Sequence, residues 1–199
     1  MTKIKLCGMM RPADVKAARD LGADYAGFVL TEGFRRSVVL RTFCELQSFL
    51  IGSKAKAVGV FVNEPLENIL TNYAEMLDLI QLHGNEDNAY IRALKQETGL
   101  EIIKAFRIGS EADLAQAAES AADHILLDSG TGTGKVFDWS LLRDFRRPYF
   151  LAGGLTPENA GEAVRLLHPF AVDTSSGTET NGQKDPEKLR AFVRAVREA

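Results

Sequence analysis

Two cysteines among 199 residues are too few to staple a fold, so disulfide-scaffold classes are set aside. Free thiols in a reducing, cytoplasmic setting are expected. No apolar run reaches the roughly 18 residues that a membrane-spanning helix needs, so no membrane partner is expected. The N-terminal stretch MTKIKLCGMMRPADV lacks a cleavable signal pattern and reads as a strand that begins the fold at once. Surplus charge is scarce too: 24 Lys and Arg against 27 Asp and Glu leave a net −3. The basic residues are scattered among acidic ones, so nothing here tracks a phosphate backbone, and no nucleic acid partner is expected. Only three histidines are present, and no two fall with a carboxylate at metal-ligand spacing. No metal site and no cofactor are expected.

What is present is ordinary globular material, 45% hydrophobic and 26% charged, enough to bury a sizeable core. Short apolar runs recur at even intervals: Ile4–Cys7, Tyr25–Leu30, Ala57–Phe61 and Leu79–His83, then Ile102–Phe106, His124–Asp128, Tyr149–Gly153 and Ala171–Ser175. Each is short and rich in β-branched or aromatic residues, which predicts strands. Between them, apolar residues three and four apart predict helices, most clearly over Ala13–Leu21, Leu66–Met76, Ala112–Ala121, Glu158–Leu167 and Pro186–Val196. Asp185-Pro186 places a capping carboxylate before a proline, and Thr156-Pro157-Glu158 repeats that design. Gly22 and Gly99 stand where helix C-caps are expected.

Strands this apolar, alternating strictly with helices, imply a parallel sheet covered by helices. Eight units favour closure into a (β/α)8 or TIM barrel over an open sheet. At roughly 25 residues per unit it is a compact α/β example, a single domain over residues 1–199, with lean loops. The longest gap, Thr31 to Ser37, leaves room for a longer loop.

Active sites of such barrels lie at the C-terminal ends of the strands. That rule selects Cys7, the loop carrying Arg35 and Arg36, His83, Asp128, Gly153-Gly154, and Asp173 through Gly177. The pair Gly153-Gly154 and the segment Ser176-Gly177 bring backbone N–H groups close to an anion, which predicts a phosphate cradle after the seventh and eighth strands. Tight turns alone are the plainer reading of those glycines. Gly130-Thr131-Gly132-Thr133-Gly134-Lys135 invites a nucleotide-binding reading but fails it. A P-loop needs four residues between its first glycine and Gly-Lys and a hydroxyl residue after it, whereas Lys135 is followed by Val136. The stretch reads as a loop over the site.

Cys7, closing its strand, is a candidate proton acceptor as a thiolate, although a cysteine is more often a small buried hydrophobe. Cys44, beside Phe43 and Leu46, reads as core. Asp128 is the matching candidate acid, against the plainer reading of a turn or cap residue. A thiol and a carboxyl facing one pocket can move a proton from one atom to another, which suits an isomerisation. Arg35 or Arg36 suits a substrate carboxylate, an exposed basic pair being the alternative. His83 ends a strand and counts among the substrate contacts, while His124 begins one at the opposite face.

Over essentially the whole chain these residues resemble the phosphoribosylanthranilate isomerase family of tryptophan biosynthesis. The likeness is carried by Lys3-Ile4-Lys5-Leu6-Cys7-Gly8, Arg11-Pro12-Ala13-Asp14, Gly22 through Val29, and Val58 through Asn63. Ile80-Gln81-Leu82-His83-Gly84, Leu127-Asp128-Ser129, Gly132 through Lys135 with Phe137-Asp138-Trp139, Leu151 through Leu155 and Val172 through Gly177 complete it. Single motifs are weak; their order and spacing together are specific.

The resemblance implies an Amadori rearrangement of N-(5-phosphoribosyl)anthranilate with no cofactor. It implies Asp128 as general acid, Cys7 as general base and Arg36 on the anthranilate carboxylate. Gly153, Gly154, Ser176 and Gly177 would present N–H groups to the phosphate, with Asp173 near the ribose. Two departures stand out. Met9-Met10 precede Arg11-Pro12 where the family usually has threonine just ahead of Arg-Pro. Thr31 through Arg36 lacks the family's Pro-x-Ser, which leaves the choice between Arg35 and Arg36 open. A monomer or a homodimer is expected. Two alternatives stand beside this reading: another phosphate-binding barrel enzyme, such as an epimerase or a synthase using Lys5 or Lys104, and a barrel that binds a phosphorylated metabolite without catalysis.

Overall fold

The computed structural model describes residues 1–128 and 139–199. In it the eight expected strands pair in chain order and close: β1 (Lys3–Cys7), β2 (Tyr25–Val29), β3 (Lys56–Phe61), β4 (Leu79–Leu82), β5 (Glu101–Arg107), β6 (His124–Asp128), β7 (Tyr149–Ala152) and β8 (Ala171–Thr174). β1 lies parallel to both β2 and β8, with Cys7 level with Gly27 and Lys5 level with Asp173, and this double pairing shuts the barrel. Closure leaves no open sheet edge.

The connecting helices are α1 (Pro12–Asp20), α2 (Leu40–Gln47), α3 (Leu66–Asn72), α4 (Asn88–Thr98), α5 (Glu111–Ala118), α6 (Ala160–Leu167) and α7 (Pro186–Arg197). α7 shows why they form. The Asp185 carboxylate accepts from the N–H groups of Glu187 (2.9 Å) and Lys188 (3.3 Å), Pro186 opens the helix, and Leu189, Phe192, Val193 and Val196 make one buried stripe. Burying each such side chain contributes about 1.5–3 kcal/mol. Gly99 takes the left-handed cap at φ 67°, and Gly22 follows the end of α1 at φ 69°.

The structure corrects several details. The stretch predicted as one helix over Leu66–Met76 breaks after α3 into a short 3-10 turn at Ala74–Met76. α6 begins at Ala160, not Glu158, because Asn159 closes a turn of its own. Its Oδ1 accepts from Thr156 N–H at 2.8 Å, and its Nδ2 donates to Gly154 C=O at 3.0 Å. Between β6 and β7 the described residues hold only a 3-10 turn, Trp139–Leu142, where strict alternation predicts a helix. The Gly130–Lys135 stretch lies outside the described residues. Cys44 is exposed, with its Sγ 3.5 Å from Met76 Sδ, and so is not a core residue. Phe43 and Leu46 hold the buried stripe of α2, and Cys44 falls off that stripe by helical geometry.

Strand alternation divides the core in two. Tyr25, Val58, Leu79, Ile103, Leu126 and Phe150 fill the barrel interior. Their strand neighbours Ala26, Ile80, Ile102, Ile125 and Leu151 pack outward against the helices. At the N-terminal ends of the strands a repeated aspartate ties neighbours together. Asp24 accepts from Ile4 N–H at 2.8 Å, Asp78 from Ala57 N–H at 2.7 Å and Asp123 from Ile102 N–H at 2.9 Å. His124, at this same end, stacks on Phe170 with ring centroids 5.4 Å apart. This base is structural. The opposite rim is built differently, and a small hairpin of β9 (Glu179–Thr180) and β10 (Gln183–Lys184) follows β8 there.

Candidate active site

A cavity of about 720 Å³ opens at the C-terminal ends of the strands. All ten residues singled out from the sequence line it: Cys7 and Asp128, Arg35 and Arg36, His83 and Asp173, Gly153 and Gly154, Ser176 and Gly177. Strand parity explains the convergence. Two residues beyond the inward-facing Leu79, Leu126 and Ala171 stand Gln81, Asp128 and Asp173, and Cys7 stands two beyond the buried Lys5.

Cys7 is buried at the end of β1, and its partner across the ladder, Gly27, makes room for it. A Cβ on Gly27 would stand 2.7 Å from Cys7 Sγ. Two residues back, Lys5 is fully buried and donates to Asp173 Oδ1 at 3.0 Å. Burial works against the Lys5 ammonium, but the charges of Asp173 and Cys7 outweigh it and raise its pKa. Lys5 is therefore a fixed cation beneath the thiol and not a neutral amine. Lys104 is also occupied: its Nζ donates to Gly84 C=O (2.6 Å), Glu86 Oε2 (3.2 Å) and Ala105 C=O (3.3 Å). Burial lowers the Lys104 pKa, with Glu86 opposing it, yet Lys104 faces an adjoining cavity of about 550 Å³ that shares His83 and Asp128 with the larger one. Neither lysine of the synthase alternative presents an unoccupied amine to the larger cavity.

Arg36 lies across the end of β1. Gly8, at φ +79°, lets it pass, since a Cβ there would sit 2.5 Å from Arg36 Cδ. Its Nε and Nη2 grip Glu179 Oε1 and Oε2 at 2.6 and 3.0 Å, while Arg35 reaches Glu179 Oε2 at 2.6 Å. The Arg35 side chain is 57% exposed against 21% for Arg36, so Arg36 is the more enclosed of the two. Lys184, on β10, donates to Ser175 C=O at 2.7 Å and sits 3.4 Å from Glu179 Oε1. Burial of the Glu179 carboxylate resists ionisation, but the two arginines and Lys184 prevail and hold its pKa at about 2. Three cations thus converge on one carboxylate, an excess of positive charge at this end of the cavity. Sequence reading missed Glu179 and Lys184, because only the folding back of the hairpin brings them to the site.

Asp128 ends β6 with His83 Nε2 3.6 Å from its Oδ2. His83 Nδ1 in turn lies 2.9 Å from Gln81 Nε2. Gln81 was also missed. The signal available was its shared parity with His83 in an otherwise apolar run.

After β7, Gly153 and Gly154 turn with φ of +89° and +65°, conformations that L side chains seldom adopt. The loops after β7 and β8 are packed backbone to backbone. Thr174 Oγ1 donates to Leu155 C=O at 2.9 Å, and a Cβ on Gly177 would collide with that same carbonyl oxygen. Among the described residues no three His, Cys, Asp or Glu side chains gather as a metal site, and no helix is long and apolar enough to cross a membrane.

A family model for N-(5'-phosphoribosyl)anthranilate isomerase matches residues 4–195. The N-(5'-phosphoribosyl)anthranilate isomerase of Endomicrobium trichonymphae is 43% identical over 204 residues, covering 99% of each chain. That of Lacticaseibacillus casei is 43% identical over 199 residues, covering 100% of this chain and 96% of its own. The crystal structure of phosphoribosyl anthranilate isomerase from Thermotoga maritima superposes with a TM-score of 0.90 at 34% identity, covering both chains completely. A structure of phosphoribosyl anthranilate isomerase in complex with reduced 1-(o-carboxyphenylamino)-1-deoxyribulose 5-phosphate gives 0.88 at the same identity, again with complete coverage. A thiamine phosphate pyrophosphorylase from Pyrococcus furiosus, 15% identical with a TM-score of 0.72, shares the fold alone. On sequence and structure alike, this chain belongs to the N-(5'-phosphoribosyl)anthranilate isomerase family.

Proposed function

We infer that this chain is an isomerase of tryptophan biosynthesis, converting N-(5-phosphoribosyl)anthranilate to 1-(o-carboxyphenylamino)-1-deoxyribulose 5-phosphate. The observation that carries the reading is a single cavity whose wall holds a thiol and a carboxyl, Cys7 and Asp128, together with Arg36 and the glycine loops after β7 and β8. A substrate that carries a carboxylate, a phosphate and reacting carbons between them matches that set of groups. Arg36 takes the anthranilate carboxylate, and the loops at Gly153-Gly154 and Ser176-Gly177 take the phosphate through backbone N–H groups.

The chemistry then needs one acid and one base. Asp128 gives its proton to the furanose ring oxygen as the bond from that oxygen to C1′ breaks, and the nitrogen lone pair forms a Schiff base. The Cys7 thiolate removes the proton on C2′, and the electron pair left behind makes the C1′–C2′ double bond of an enolamine. Loss of the O2′ proton and protonation at C1′ give the ketone. Hydrogen has only been relocated within the molecule, so no redox cofactor enters the balance. Asp173, paired with Lys5, lies at the floor of the cavity beside the sugar. Every residue of this scheme comes from one chain, so the site is complete in a monomer and in a homodimer alike. A single barrel domain over residues 1–199 in a reducing cytoplasm, which keeps Cys7 as a thiol, fits the scheme.

The test is a fluorescence assay with freshly generated N-(5-phosphoribosyl)anthranilate, in which the anthranilate signal decays as product forms. Absence of turnover by folded protein refutes the reading.

A further inference from the structure

Gln81 occupies the inward face of β4 and is 1% exposed. A primary amide carries two N–H donors and an oxygen acceptor. Its Nε2 is engaged, 2.9 Å from His83 Nδ1. Its Oε1 is buried and, among the described residues, has no hydrogen-bond partner; no other buried side-chain atom among them shares that condition. Buried acceptors are nearly always satisfied, so a lone exception in a cavity wall calls for a partner that the described residues do not supply. Gln81 lines the same cavity as Cys7 and Asp128.

The occupied side of the amide has a consequence of its own. A donor aimed at His83 Nδ1 requires a lone pair there, so the neutral ring carries its hydrogen on Nε2. That nitrogen is the one 3.6 Å from Asp128 Oδ2. An N–H in this place meets the negative charge that Asp128 acquires when it releases a proton, and the contact can tighten once substrate excludes water.

We propose that Gln81 is a substrate-binding residue whose Oε1 accepts a hydroxyl or amine hydrogen from the bound sugar phosphate, while its Nε2 sets the His83 tautomer that presents N–H to Asp128. The substrate half rests on the isomerase reading; the tautomer half does not. Gln81 touches the ligand, whereas His83 is a positioning residue that acts through Asp128. The amide thus joins recognition of the sugar to the state of the acid across a single side chain.

Two measurements test this. Long-range 1H–15N spectra of the unliganded wild-type protein, with His83 identified among the three histidines by its loss in His83→Asn, should show hydrogen on Nε2. Hydrogen on Nδ1 overturns the proposal without any need for a Gln81 variant to fold. Steady-state kinetics on N-(5-phosphoribosyl)anthranilate should then show Gln81→Met, close in shape but without the amide, raising KM and lowering kcat by about tenfold each. Inhibition by inorganic phosphate should be unchanged, because the glycine loops are untouched. Wild-type kinetics in Gln81→Met overturns the role of Gln81. No turnover in the wild-type protein overturns the isomerase reading instead.

Discussion

Arg36 and Glu179 form a two-point ion pair across the cavity rim, Nε to Oε1 at 2.6 Å and Nη2 to Oε2 at 3.0 Å. The pair joins the loop after β2 to the hairpin after β8, two segments 143 residues apart. It fixes the guanidinium plane and, among the described residues, leaves Nη1 without a hydrogen bond. Arg35 grips the same carboxylate from outside, with Nη1 running beside the Gly182 turn of the hairpin. This geometry favours Arg36 for the anthranilate carboxylate and gives Arg35 a supporting place. Arg36→Ala should therefore raise KM by about 10- to 100-fold, the value of one charge-assisted contact, and Arg35→Ala by much less. Equal effects in a steady-state assay would reject the assignment.

Glu179 gives the protein a defined acid sensitivity. Its folded pKa, about 2, lies below the ordinary glutamate value of 4.5. A depressed carboxylate contributes stability that is present in full above pH 4.5 and is lost as pH falls toward 2. Chemical denaturation in steps through that window should show the wild type losing about 1–2 kcal/mol more than Glu179→Gln, after allowance for solvent screening of the partly exposed arginines. Parallel curves for the two proteins would remove Glu179 from the account.

Cys7→Ala and Asp128→Asn should each abolish most of kcat while inorganic phosphate still binds as an inhibitor. Near-normal kcat in either variant removes its residue from the acid–base scheme. Gly27→Ala offers a finer probe of the same thiol, since the added Cβ would stand 2.7 Å from Cys7 Sγ. Displacing the base by even a fraction of an ångström should cost at least tenfold in kcat with little change in KM. An unchanged kcat would show that the thiol position is not critical.

The base of the barrel should respond in the opposite way. Asp78→Ala removes the acceptor of the Ala57 N–H, held at 2.7 Å far from the cavity. About 1–2 kcal/mol of stability should be lost, a fall in Tm of several degrees by calorimetry, with kcat and KM preserved. A loss of activity without a loss of stability would contradict the division between a structural base and a catalytic rim.

The buried pair of Lys5 and Asp173 makes a further prediction. Asp173→Ala leaves Lys5 as an uncompensated buried cation and should destabilise the fold by about 3–5 kcal/mol. The double variant Lys5→Met with Asp173→Leu should recover much of that stability. If the double variant is less stable than Asp173→Ala alone, desolvation of Lys5 is not the dominant cost.

Much of this was legible in the residues themselves. Period-two apolar runs and period-3.6 segments specify strands and helices locally, and eight such units in strict order leave few closures besides a barrel. The strand-end rule then selects Cys7, Asp128 and the glycine loops, since parity along a strand is a property of the chain alone. Other features belong to the tertiary structure. Glu179 and Lys184 meet Arg36 only because the hairpin after β8 folds back over β1. Among the described residues Gln81 Oε1 has no partner because neighbouring strands bury it beside His83. Cys44 is exposed although its neighbours are apolar, because the helix turns it off the stripe that Phe43 and Leu46 share. Local pattern determines which face a residue takes. What it meets there depends on long-range closure, which brings together charges and amides that no short stretch of sequence encodes.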